Sequence, residues 1–220
     1  MVGPEREIVG AFLLVYAGLF PIVNPLGAAP MFLSLTSGVA EERRNRLASS
    51  VALNSFLLLL GSILCGSHIL EFFGITIPAV RVAGGALVAC MGWRLLDGRG
   101  TSNLASSTEV SPQRQTSDGF YPLTLPLTVG PGSISVALTI GAHQASTAHI
   151  ALVSTGALLG LSALALTIYA AYRFASPLVR WLGDTGVDAL VRLSAFILVC
   201  IGVQIGWGGL SELIGSLHGV

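Results

Sequence analysis

Lysine does not occur in these 220 residues, and all eleven basic residues are arginine. Charge of either sign is scarce: 10% of residues are charged and the formal net charge is zero. A nucleic-acid surface needs a clustered basic face, and none is present. Cysteine is nearly missing as well. Cys65, Cys90 and Cys200 each sit inside an apolar run. An odd number in such places, without CxxC or Cys/His spacing, excludes a disulfide framework and a metal site. They are expected to be packing residues. Aromatic residues make up only 7%. What replaces all of these is apolar residues, 53% of the chain at a mean hydropathy of +0.79. That composition excludes a soluble domain and indicates a polytopic membrane protein.

Asp, Glu and Arg are missing altogether from residues 8–40, 47–70 and 119–172. Such runs are long enough to cross a bilayer core of about 30 Å. Met1 to Glu7 carries one arginine between two glutamates, without a positive leader or a small-residue cleavage site. The first apolar run is therefore expected to be a retained membrane segment. Six segments are predicted, at about Ile8–Leu35, Leu47–Leu70, Ile77–Leu96, Phe120–Ala142, Ala148–Tyr172 and Val191–Leu210. Polar turns are expected at Ser37–Arg46 and Arg173–Asp188. Residues 98–119, rich in Ser, Thr, Gly and charge, form a linker. The chain reads as a single all-α transmembrane domain over 1–220, with repeat one at about 8–97 and repeat two at about 120–210.

Proline punctuates the first and fourth segments in register. Pro21, Pro25 and Pro30 recur as Pro122, Pro126 and Pro131 at an offset of 101. A proline inside a helix removes a backbone donor and crowds the preceding turn. In hydrocarbon, broken backbone survives only where protein covers it or it lines a wet cavity. Paired Gly/Pro-interrupted segments in the two halves of a membrane protein point to a transporter binding site. Arg81 and Arg192 likewise stand just inside the third and sixth segments. Three crossings per repeat make the second copy enter the membrane inverted. The connections after segments one, three and five hold Arg43, Arg44, Arg46, Arg94, Arg99, Arg114, Arg173 and Arg180, against Arg6 and Arg81 opposite. The positive-inside rule then predicts both termini outside the cytoplasm.

Three blocks, Phe20–Phe32, Phe73–Gly85 and Pro126–Ser133, resemble in order the signatures of the MarC family of bacterial and archaeal inner-membrane proteins. The likeness spans about Ile8 to Leu210. It implies an inner-membrane secondary transporter of small neutral amino acids such as glycine and alanine. A gradient of Na+ or H+ would drive it, with no further cofactor and no catalytic residues. A bilayer, a small-molecule substrate and a homo-oligomeric partner are the implied associations.

The residues themselves suggest how such a solute would be held. Half-helix N-termini offer donors to a carboxylate, and unwound carbonyls suit an ammonium or Na+. Pro30 and Pro131 are read as the first residues of downstream half-helices. Asn24, Pro25, Gly27, Ala28 and Pro30 form one side of the predicted substrate site; Thr128, Gly130, Pro131, Gly132 and Ser133 form the other. Close helix packing is the alternative use of the small residues. Asn54 and Gln204 are read as buried amides lining a path or bonding between helices, and Arg81 and Arg192 as gating residues or headgroup anchors. His68, His143, His149 and His218 fall near segment ends. An exporter of amphipathic compounds would want aromatic lining that this composition lacks, and a passive channel stays open as a reading. Ser133 as a nucleophile is disfavoured, since His143 lies roughly 15 Å along the helix from it.

Overall fold

The computed structural model describes residues 4–97, 119–145 and 150–217. Most of the linker, together with His149 and His218, lies outside them. Eight helical elements follow in order: α1 (Pro4–Val23), α2 (Pro25–Leu35), α3 (Glu41–Phe73), α4 (Ile77–Leu96), α5 (Phe120–Thr128), α6 (Pro131–Ala145), α7 (Ile150–Arg173) and α8 (Ala175–Leu217). Five of them are long and apolar enough to cross a membrane. The count becomes six if α5 and α6, bent by 69° at their junction, act as one span. The protein is an all-helical, multi-pass membrane protein.

Two expected turns are largely helix. Glu41 to Arg46 opens α3, because Glu41 and Glu42 in the first turn complement the helix dipole there. Residues 175–188 belong to α8, which is interrupted only at Gly183 (φ 66°, ψ 175°). A side chain at that φ would be strained, so glycine makes the corner.

Lipid is as apolar as leucine, so helix contact depends on close backbone approach at small residues. The α4–α8 seam is the largest. A Cβ on Gly92 would lie 2.7 Å from Ala195 O, and one on Gly209 would lie 2.6 Å from Pro78 O. Gly85 likewise faces Gly202 and Gly206. Rising numbers on α4 meet falling numbers on α8, so the two are antiparallel. In contrast, α1 and α7 run parallel: Gly156 meets Ile8, Gly160 meets Phe12, and Tyr16 Oη lies 3.2 Å from Thr167 Oγ1. On α3, Gly66 packs on Leu138 and Gly141 of α6 packs on Ile63.

The main core gathers Leu19, Phe32, Val51, Leu123, Leu161 and Tyr172 from α1, α2, α3, α5 and α7. A smaller cluster joins Ile22, Val88 and Leu198. Leu64, Phe72, Leu166 and Trp207 point away from both, toward lipid. So do all three cysteines, which are exposed and not packed inside as their sequence setting suggested.

Candidate functional site

The first break is one residue wide. Asn24 N still bonds Phe20 O at 2.9 Å, completing the α1 ladder. Pro25 has no N–H to extend it and disfavours the α conformation in the residue before it. Asn24 escapes into the left-handed region (φ 47°, ψ 57°). Asparagine tolerates that region better than any apolar residue. From there it caps the next helix twice: its side-chain Oδ1 accepts from Gly27 N at 3.2 Å, and its carbonyl accepts from Ala28 N at 3.0 Å. The first residue of α2 is thus Pro25. Pro30, expected in that place, is inside α2, because the cap forms at Asn24 and fixes the start five residues earlier.

The second break is longer. Tyr121 (φ −122°, ψ 131°) and Leu125 (φ −109°, ψ 129°) are both extended, as residues preceding proline should be. Around them α5 winds in wide turns, and at its end Val129 N reaches Thr124 O at 2.8 Å. Two threonine hydroxyls reach back five residues to main-chain carbonyls. Thr124 Oγ1 donates to Gly119 O, and Thr128 Oγ1 donates to Leu123 O, each at 2.7 Å. Pro131 then opens α6 as expected, and Ser133 Oγ returns to Gly130 O at 2.9 Å.

The two broken segments come together. α2 touches α5 directly, and both enter the main core. Tyr172, near the end of α7, reaches each of them. Its ring stacks on Phe32 of α2 with centroids 4.4 Å apart, and its hydroxyl lies 2.7 Å from Thr128 Oγ1 of α5. Asn54 of α3 makes a long contact, 3.5 Å from its Nδ2 to Thr124 Oγ1.

The predicted site residues therefore divide. Pro25, Gly27 and Ala28 are buried at the first break, with Asn24 and Pro30 half-buried beside them. Thr128, Gly130, Gly132 and Ser133 are buried at the second, while Pro131 is exposed. Gly130 and Gly132 leave room for Met91 and Val88 of α4: a Cβ there would lie 2.9 and 2.5 Å from those side chains. The path residues scatter. Asn54 joins the second break. Gln204, read as buried, is exposed on α8, because Gly202, Gly206 and Gly209 turn the opposite face of that helix to α4. Arg81 pairs with Glu212 at 2.8 Å, joining α4 to α8 at the end of their seam. Arg192 is exposed. Tyr172 and Thr124 escaped the sequence reading. The threonine had a signal, standing four residues before Thr128 in a proline-rich window; the tyrosine had none.

The MarC family of integral membrane proteins matches residues 9–214. The chain belongs to that family. Inner membrane protein MarC of Escherichia coli K12 is 30% identical, over 96% of this chain and 98% of its own length. The inner membrane protein MarC of Shigella flexneri matches with the same identity and coverage. No solved structure matches. With relatives over its whole length and several apolar helices, the chain is a multi-pass inner-membrane protein of the MarC family.

Proposed function

We propose that this MarC family protein is a secondary transporter of small neutral amino acids, of glycine or alanine size, or of similar small polar solutes. The observation that carries the reading is the direct contact of two proline-broken segments inside one core. Each break frees backbone groups where bilayer offers no water, and each is bordered by small residues that let neighbouring groups approach the backbone closely.

The chemistry suits a zwitterion. Pro21, Pro25 and Pro30 deprive the carbonyls of Ala17, Pro21 and Leu26 of their usual i+4 donors, and such oxygens attract an ammonium or Na+. A carboxylate would be drawn to the first turns of α2 and α6. The hydroxyls of Thr128 and Ser133 already donate to carbonyls. They act here as braces for the break, so selectivity rests on backbone and on limited space. Binding by main-chain dipoles also explains how the site works without an Asp or Glu in either broken segment.

Alternating access between inverted repeats is the matching mechanism. The antiparallel α4–α8 seam supports it, since the third and sixth crossings of an inverted pair must run oppositely. The arginine bias supports termini outside the cytoplasm, and a Na+ or H+ gradient is the energy source in this reading. The test is uptake of labelled glycine or alanine into proteoliposomes under an imposed Na+ or H+ gradient. Uptake that collapses with the gradient is the expected result; gradient-independent or absent uptake of every small neutral amino acid would remove the reading.

A further inference from the structure

Tyr172 touches both broken segments, one through its ring and the other through its hydroxyl, and nothing in the proposed transport chemistry requires it. It is 1% exposed and sits in a helix that contains no proline from Ile150 to Arg173. Its two contacts are made by different parts of the side chain. The ring face lies on Phe32 of α2 at an interplanar angle of 11°; the edge, through the hydroxyl, meets Thr128 of α5.

The direction of the hydroxyl bond follows from proton counting. Thr128 has one hydroxyl proton, and a carbonyl only accepts, so that proton goes to Leu123 O. Tyr172 must then be the donor to Thr128 Oγ1. The chain runs from the Tyr172 O–H through the Thr128 O–H to the Leu123 carbonyl and ends on the backbone of the second break. Any shift of α5 against α7 by an ångström or more breaks it, because a hydroxyl bond fades beyond about 3 Å.

We propose that Tyr172 is a positioning residue, a latch on an unbroken helix that holds α2 and α5 together and makes the two breaks open as one unit. The proposal draws its functional meaning from the transport reading, but its test reads conformation without any substrate. It uses the full chain in liposomes with Cys65, Cys90 and Cys200 replaced by alanine. A single cysteine is placed at Leu26 of α2 or at Leu127 of α5, and its rate of labelling by N-ethylmaleimide is measured.

Tyr172→Phe keeps the ring and removes the hydroxyl. One neutral hydrogen bond shifts a two-state equilibrium by about two- to tenfold, so labelling should rise by that factor at both positions. Thr128→Val should raise it similarly, and the double variant should add little, since both changes cut one bond. Phe32→Leu removes the stack alone and should free both positions even if Thr128→Val folds poorly. Unchanged labelling in Tyr172→Phe, a rise at Leu127 with none at Leu26, or additive effects would each overturn the latch. Loss of gradient-driven uptake in the parent chain with coupled labelling intact would remove the transport reading and leave the latch standing. Uptake with uncoupled labelling would do the reverse.

Discussion

Asn24 and Leu125 occupy the same place in the two halves, each directly before a proline, and both leave the helix. They leave it differently because of their side chains. Asparagine enters the left-handed region and caps α2; leucine cannot and stays extended, with threonine hydroxyls nearby bonding the Gly119 and Leu123 carbonyls. Asn24→Ala should therefore lose both the cap, about 1 kcal/mol, and tolerance of that φ, a further 1–2 kcal/mol or so. Asn24→Gly keeps the backbone freedom and should cost only a few tenths. Unfolding in mixed micelles compares them, and equal losses would contradict the assignment of the cap. The prolines made both breaks legible in sequence, but their width was not. Pro30 looked like a helix start because proline favours that place generally; the deciding factor was the residue before Pro25, whose φ no pattern of prolines reports.

At the scale of elements, boundaries followed charge and glycine less faithfully than expected. The 77–96 helix was legible to the residue, having apolar content throughout and a proline near its start. The turn predicted at Ser37–Arg46 shrank because two glutamates suit a helix N-terminus as well as they suit a loop. The seam between α4 and α8 sets Gly202 and Gly206 against Gly85, and that pairing depends on which face α4 presents. A Cβ on Gly85 meets the backbone of Gly206, which cannot move aside, whereas Gly208 has nothing within 4 Å. Gly85→Val should thus destabilise by about 1–3 kcal/mol or more. Gly208→Ala, on the same helix as Gly206, should be neutral or slightly stabilising. A thermal melt in detergent that ranks the two alike would show that the seam is not what holds α4 to α8.

For the molecule as a whole, the number of crossings turns on α5 and α6, which bend by 69° at their junction. Asp97 and Asp184 lie on either side of the α5–α6 and α7 segments, and both are exposed. If the bent pair crosses, a cysteine at either position should react with impermeant maleimide from the same side. Reaction from opposite sides would make the bent pair a re-entrant loop and move the termini to different faces. Membrane class, helix order and the presence of two proline-broken segments were readable from the chain because they depend on hydropathy and proline. Which side chains tie the breaks together was not, because Tyr172 acts from α7, well outside both proline windows.

In the proposed transport reading, a small solute sits where the two proline-broken segments come together. Leu26 stands next to the Asn24 cap and is 42% exposed; Leu158, 43% exposed, lies on α7 away from the breaks. Single cysteines at these positions, in a chain otherwise free of cysteine, report solute binding through protection from maleimide. Glycine and alanine should slow labelling at Leu26 and leave Leu158 unchanged. Equal rates with and without either amino acid at Leu26, in a protein that still takes them up, would place the solute elsewhere and contradict the account.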